Sequence, residues 1–291
     1  MIRQPENNDE PLLRRIWKDV FGDSDEFIDL FFRNRYSPDS ALVYHTDGAP
    51  VSMLFFPQYI MKAGDSLHKL GYICGAATLP EYRGRGLMAE LLNASFGIMA
   101  ARGDRFTSLI PASDSLYGYY ERFGYSTYFY RKRIVVNRTA SKIPNPSVIR
   151  PADNADQLYE IYSAEASRLP VVVLQSRKSF RSVFDEFILS GGRVFITDDG
   201  KSYCFVRTDG TRVYLRESFS ISGGQNHLQA MADSLFGYFP LAETVEAEVP
   251  ATNIIHGSEY LRTGMIRSLH DEGSLPSAGS RIAYMKFMLE D

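Results

Sequence analysis

Apolar residues near the N-terminus recur at helical spacing. Leu12, Leu13, Ile16, Trp17, Val20 and Phe21 follow an acidic residue and a proline at Asp9–Pro11 and precede Gly22. An acidic cap, an early proline, an apolar stripe and a closing glycine together predict a helix. Ser24 predicts the cap of a second helix, with Phe27, Leu30 and Phe31 on its apolar face. From residue 41 the period shortens to two. Ala41–His45 and Val51–Met61 read as strands on either side of an Asp47-Gly48 turn. Gly64-Asp65 turns the chain into a third strand over Leu67–Leu79, which carries the small residues Gly75, Ala76 and Ala77 near its end. A helix follows, with Leu87, Met88, Leu91, Leu92, Phe96 and Met99 inward and Gly103 after it. Phe106–Ile110 is the next strand and Ser113–Arg122 a short helix. A last strand runs from Gly124-Tyr125 to about Val136.

Ser141–Ser147, with two prolines in seven residues, reads as a linker. Beyond it the element order partly repeats. Val148–Arg150 is a short strand, and Ala155–Ser167 and Ser179–Ser190 are helical. Arg193–Thr197 and Ser202–Arg207 are strands around an Asp-Asp-Gly turn, and Arg212–Phe219 is a third. Gln225–Gly237 is a helix and Glu243–Val249 a strand. Thr46-Asp47-Gly48 and Thr197-Asp198-Asp199-Gly200 fall at the same point of each half. The expectation is an internal duplication, with one domain over 1–140 and another over 148–291.

A length of 291 residues fits two cores better than one. With 44% hydrophobic and 23% charged residues the chain folds rather than staying disordered. A net charge of −3 gives no general attraction to nucleic acid or to an anionic membrane, and neither is expected as a partner. Cys74 and Cys204 lie far apart in apolar runs, so both are expected to be reduced and buried. The five histidines show no ligand spacing, so no metal is expected. The N-terminus lacks an apolar signal core, and no apolar run approaches the ~18 residues of a membrane span. A cytoplasmic protein is expected, and self-association into a homo-oligomer is left open.

Candidate chemistry begins at Thr78-Leu79-Pro80-Glu81-Tyr82-Arg83-Gly84-Arg85-Gly86-Leu87-Met88, where a strand passes into a helix N-terminus. Glycines there let the backbone turn tightly and approach a ligand. The first helix amides have no intrahelical acceptor and stand at the positive end of the dipole, a geometry that binds pyrophosphate. Arg83 and Arg85 add cationic donors. Alone, the segment is equally an ordinary strand–helix turn with surface arginines. Some thirty residues on comes Tyr119-Tyr120-Glu121-Arg122-Phe123-Gly124-Tyr125. The pairing of R-x-x-G-x-(G/A) after one strand with Y-E-x-x-G-(F/Y) after the next resembles the acetyl-CoA-binding core of GNAT acetyltransferases. Thr78-Leu79-Pro80, Arg83 to Met88, Ala112-Ser113 and Tyr120 to Tyr125 resemble more narrowly the Eis-like (enhanced intracellular survival) branch. That resemblance implies an α/β fold of tandem GNAT-like domains, each a mixed, mostly antiparallel sheet flanked by helices. The second domain of that branch is degenerate, and the half from Val148 onward contains no R-x-x-G-x-G. Two departures stand out. Met88 replaces the Gly or Ala of the broad superfamily. The sequence also ends about where relatives begin a third, sterol-carrier-like domain, whose terminal carboxylate reaches their active site. Whether Asp291 does so stays open.

The resemblance implies acetyl-CoA as donor and direct attack on its thioester by a primary amine. The acceptor would be a small polyamine, an aminoglycoside-like compound or a lysine side chain. Tyr120 takes the family's general-acid position, because a phenol of pKa near 10 is protonated at neutral pH and can supply the departing thiolate. On composition alone it is one packing member of a cluster with Tyr117, Tyr119, Tyr125, Tyr128 and Tyr130. Backbone groups of Ala76, Ala77 and Thr78 would orient the acetyl carbonyl and the pantetheine arm. Arg83, Gly84, Arg85, Gly86, Leu87, Met88 and Ala89 would hold the pyrophosphate. Ser113 and Asp114 would cap the next helix and touch the donor. Arg102 and Arg105 are candidates for the 3′-phosphate. For the general base Glu26, His68, the Asp291 carboxylate and a water chain all stay open. Two rival readings remain. Aminoacyl transfer on a tandem GNAT scaffold would need a basic groove for tRNA. The other rival is a non-catalytic acetyl-CoA-binding or interaction module.

Overall fold

After a two-residue strand β1 (Ile2–Arg3) come the helices α1 (Glu10–Phe21) and α2 (Asp25–Asn34). The computed structural model describes residues 1–46, 48–139, 149–221, 227–253, 257–270, 275–276 and 281–287. Asp47, the linker Ser141–Ser147, Val148, Gln225 and Asp291 lie outside them. Gly22 closes α1 in the left-handed region at φ 76°, returning its N–H to the Lys18 carbonyl at 3.0 Å. The Ser24 hydroxyl accepts the Phe27 N–H and so caps α2. Leu13, Ile16, Trp17, Ile28, Phe31 and Phe32 are buried, whereas Leu12 and Phe21, also apolar and at helical spacing, are exposed. Leu12 stands one residue, about 100°, from Leu13, off the inward stripe. Phe21 meets the Trp17 ring edge-on.

Next come the strands β2 (Ala41–Thr46), β3 (Ala49–Phe55), β4 (Gln58–Ala63) and β5 (Ser66–Thr78). The single strand expected over Val51–Met61 is therefore two. Pro57 has no N–H for a ladder, and the break at Phe56-Pro57 re-aims the chain. As a result β3 pairs with the Cys74–Thr78 end of β5 and β4 with its Ser66–Gly71 end. The chain continues through α3 (Leu87–Ala101), β6 (Phe106–Leu109), α4 (Ser115–Glu121) and β7 (Ser126–Asn137). Alternate strand residues serve two cores. Ala41, Val43, Met53 and Phe55 pack with α1 and α2, and Leu42, Leu54, Phe56 and Ile73 pack with α3 and α4. Burial on both faces explains why these strands read as nearly unbroken apolar runs.

Later elements are β8 (Ile149–Pro151), α5 (Ala155–Ala166), β9 (Val171–Leu174) and α6 (Arg177–Leu189). Then come β10 (Arg193–Thr197), β11 (Ser202–Asp209), β12 (Arg212–Ser220), α7 (His227–Tyr238), β13 (Thr244–Pro250) and β14 (Glu259–Ser268). Here too the strands are two-faced: Tyr203 and Phe205 pack with α5 and α6, and Cys204 and Val206 pack with α7. Cys204 is buried as expected, but Cys74 is only half-buried, and the two form no disulfide. β9 and β14 were not expected from the sequence.

The chain divides into two compact units, Met1–Tyr128 with Gly264–Ser277 and Phe129–Thr263 with Ala278–Asp291. These are not the two contiguous stretches, 1–140 and 148–291, that the linker suggests. Within the first unit, Met265–Ser268 of β14 pairs antiparallel with Phe106–Leu109. Without that return β6 would present a free edge, and backbone groups there need a partner. In the first unit the strand order is β1-β2-β3-β5-β6-β14, with β4 also beside β5, and in the second it is β8-β10-β11-β12-β13-β7. One pair in each is parallel, β5 with β6 and β12 with β13. Each unit is thus the mixed, mostly antiparallel sheet with flanking helices that the resemblance implies.

Candidate active site

The site begins with a fault in β5. Met53 faces Ala77 across the ladder and Phe55 faces Cys74, so β5 carries one residue more than β3 over this stretch. Gly75 takes up the extra residue at φ 57°. A β-carbon there would stand 2.5 Å from the Phe55 ring and 2.8 Å from Trp17, so only glycine fits. Across the sheet, β5 and β6 match from Leu70↔Phe106 to Ile73↔Leu109, where β6 ends while β5 runs on to Thr78. Ser52 secures that extension, donating to the Ala77 carbonyl at 2.9 Å and meeting the Thr78 hydroxyl at 2.7 Å.

Beyond Thr78 the chain turns through Pro80–Tyr82 and the Arg83–Gly86 loop into α3. Gly86 occupies the helix-cap position at φ 80°, and no side chain caps α3. The first-turn amides therefore stand ready for an outside acceptor. Arg83 Nε donates to the Thr78 carbonyl at 3.1 Å, and Arg85 donates to the Glu81 carbonyl at 2.9 Å, pinning the loop to itself. Arg85 also stacks on Tyr82 at 5.0 Å. A cleft of about 600 Å³ opens here, lined by Thr78, Arg83, Gly84, Gly86, Leu87, Met88 and Ala89 together with Tyr82, Tyr119, Arg122 and Phe123. This lining fits a phosphorylated thioester donor: an uncapped helix start and a guanidinium for the phosphates, apolar walls for a long arm. Tyr82, Tyr119, Arg122 and Phe123 join the cleft only in the structure, although all four sit inside the quoted motifs.

Seven of the thirteen expected site residues come together in that cleft. Arg85 is spent on the loop and the Tyr82 ring. Ala77 is 2% exposed and packs toward α1 and α2, while Ala76 packs toward α3 and α4. Ser113 and Asp114 are exposed and outside the lining. Neither side chain caps α4 as expected: Asp114 makes no cap bond, and the Ser113 hydroxyl meets that of Ser115 at 2.9 Å. Tyr120 is 9% exposed and lies behind the wall that Tyr119 presents, the two rings 5.2 Å apart and nearly perpendicular. No hydrogen bond joins its hydroxyl to any described residue. Burial, with Tyr119 adding to it, pushes the Tyr120 phenol up to about 12, so it keeps its proton across the physiological range.

Two expectations for charged groups are corrected. Arg102 cannot serve a ligand phosphate, because it bonds Asp104 at 2.7 Å, Ser40 at 2.9 Å and the Phe56 carbonyl at 2.9 Å. Arg105 lies over the Phe106 ring, at the start of β6. His68 precedes Thr78 by ten positions on β5, roughly 30 Å along a strand, so it does not reach the cleft. Burial and then Arg105 lower its pKa, and its ring packs on Phe106. Among the described residues no cluster of His, Cys, Asp and Glu could hold a metal ion, and no helix is long and apolar enough to cross a membrane.

The site thus joins a parted parallel pair with a glycine bulge to an arginine–glycine loop on an uncapped helix. Residues 1–128 match the acetyltransferase (GNAT) domain and form an N-acetyltransferase domain of that family, whose acetyl donor is acetyl-CoA. Over both units the fold is that of several solved structures. A probable N-acyltransferase from Enterococcus faecalis superposes with a TM-score of 0.74 at 12% identity, over 92% of this chain and 72% of that one. A GCN5-related N-acetyltransferase from Anabaena variabilis gives 0.72 at 13% identity, over 93% and 73%. Eis1 from Mycobacterium abscessus gives 0.65 at 14% identity, over 92% and 74%, in keeping with the Eis-like resemblance. No curated protein matches by sequence.

Proposed function

We propose that this protein transfers the acetyl group of acetyl-CoA to a primary amine. The observation that carries the reading is the cleft where the uncapped start of α3, the Arg83–Gly86 loop and the end of β5 meet. Acetyl-CoA supplies an activated acetyl thioester when bound. First-turn amides from Leu87 to Ala89 and the Arg83 guanidinium hold its phosphates. The small side chains of Ala76 and Ala77 permit close approach to the end of β5, which stays paired with β3 at Ala77 and Thr78 while β6 has already ended at Leu109. The amine nitrogen, in its uncharged form, bonds to the acetyl carbon as the carbon–sulfur bond breaks; the nitrogen gives up a proton to solvent and the sulfur takes one.

Tyr120 supplies that proton. Its raised pKa keeps it protonated, and its hydroxyl is uncommitted among the described residues. Tyr119 is the second reading, favoured by its place on the cleft wall; burial raises its pKa too, with Arg122 acting against the rise. Acceptors of the proposed class are small polyamines, aminoglycoside-like compounds and lysine side chains. The test is release of free CoA thiol from acetyl-CoA with a panel of these amines, with mass spectrometry of the products. Acetylated product with any of them supports the reading. Binding of acetyl-CoA without turnover on the whole panel would favour the non-catalytic module instead.

A further inference from the structure

Beside the donor cleft, and wholly within the first unit, lies a second depression of about 580 Å³. Arg122 and Phe123 belong to the walls of both. Its other polar lining comes from Asn93 of α3 and from Arg267, Ser268 and His270, where β14 returns to this unit. Among the described residues that line it, none carries a carboxylate. Neither Arg122 nor Arg267 forms an ion pair with a described residue.

The two guanidinium groups are held without being used up. Arg267 donates one N–H to the Phe123 carbonyl and lies flat over the Phe96 ring at 4.0 Å. Arg122 lies over the Tyr119 ring at 4.9 Å and makes no hydrogen bond to a described residue. Ring stacking fixes each plane while leaving most N–H groups for an outside acceptor. Two fixed guanidinium groups, with no carboxylate among the described lining residues, suit a phosphate monoester, which accepts paired charge-assisted hydrogen bonds. CoA carries one such group besides its pyrophosphate, on the 3′ position of the ribose. Arg102, the sequence candidate for it, is already committed to Asp104, Ser40 and Phe56.

Resting on the donor assignment above, we propose that this depression receives the 3′-phosphorylated nucleotide end of the donor, with Arg122 and Arg267 as its phosphate ligands. β14 thereby contributes to a site whose motifs all lie before residue 126. Calorimetric titration with CoA and with 3′-dephospho-CoA tests it. The unmodified protein is expected to bind CoA about ten-fold or more tightly than the dephospho form, the scale of hydrogen bonds to a charged group. Arg122→Gln and Arg267→Gln should each shrink that preference, and the double variant should abolish it, with affinity for CoA falling further than affinity for dephospho-CoA. Arg122→Gln, at an exposed position, keeps the test valid if Arg267→Gln disturbs folding. Equal binding of the two ligands by the unmodified protein overturns the proposal, and so does equal weakening of both in the variants. If neither ligand binds at all, the donor assignment fails and takes this inference with it.

Discussion

Each unit has a parallel strand pair that parts after four matched residues, and the two differ in the residues just beyond the parting. In the first unit Leu70–Ile73 matches Phe106–Leu109, and Cys74, Gly75, Ala76 and Ala77 come next on β5. In the second Arg212–Leu215 matches Thr244–Ala247, and Arg216 and Glu217 come next on β12. Small side chains and a glycine bulge border the first parting. Charged side chains fill the second. Glu217, 3% exposed, accepts the Tyr203 hydroxyl at 2.7 Å and that of Tyr284 at 3.3 Å. Glu248 on β13 is bonded by Arg216 at 3.0 Å, Lys286 at 3.1 Å and Arg131. Buried ions are tolerated only with their partners in place. The second unit therefore spends its charges on itself, whereas the first presents Arg83 and Arg122 to a cleft.

The largest expected effect attacks the first half of that contrast. Gly86→Asp puts a carboxylate at the uncapped start of α3 and a side chain into a left-handed conformation. It should abolish acetyl-CoA binding, by more than about 100-fold. Gly86→Ala meets no neighbour within 4 Å and should cost only the backbone strain, about 1–2 kcal/mol. Calorimetry decides, and unchanged affinity in the Asp variant would place the donor elsewhere.

Next comes Tyr120→Phe, which keeps the ring and removes only the hydroxyl. Turnover should fall by about 10²–10⁴-fold with acetyl-CoA affinity unchanged. Tyr119→Phe should cost far less, and the reverse order would make Tyr119 the proton donor. Because the Tyr120 phenol titrates near 12, the pH–rate curve should show no alkaline loss from it below about pH 10.

The second half of the contrast predicts stability effects without donor effects. Lys286→Met removes one buried partner of Glu248 and should destabilise by about 3 kcal/mol, seen as a lower denaturant midpoint. Acetyl-CoA affinity should not change, and a parallel loss of affinity would argue against separate roles for the two regions. The smallest effect is acid sensitivity. Burial opposes the charge of Glu248, but Lys286, Arg131 and Arg216 outweigh it and hold its pKa at about 2, below the ordinary 4.5. The stability it contributes is full above pH 4.5 and is lost as the pH falls toward 2. Melting curves between pH 6 and 2.5 should show that loss, and Glu248→Gln should flatten it.

Much of the first unit was legible because its signals are local. Gly22 and Ser24 mark the ends of α1 and α2 through their own backbone and hydroxyl, and the Arg83–Gly86 loop announces α3. The break at Pro57 was missed because Val51–Met61 alternates well enough to pass for one strand, and only pairing with two ends of β5 separates β3 from β4. Asp114 was misjudged for a related reason. Cap residue types are necessary for a side-chain cap, but the backbone before α4 is already helical at Asp114, so its carboxylate is not aimed at the first amides.

By itself, then, the sequence determined the helix boundaries, most strands, the arginine–glycine loop and the family it resembles. Each of these depends on residues within a few positions of one another. Tertiary structure decided which tyrosine forms the cleft wall, because Tyr119 and Tyr120 differ only in the side of α4 they occupy. It decided the fate of Arg102, whose partners Ser40 and Phe56 lie more than forty residues away. It also brought Arg267 and His270 back to the first unit, through the pairing of β14 with β6. No local pattern encodes that return. It arises from the need of the β6 backbone for a second partner, a need that a segment more than 150 residues away along the chain meets.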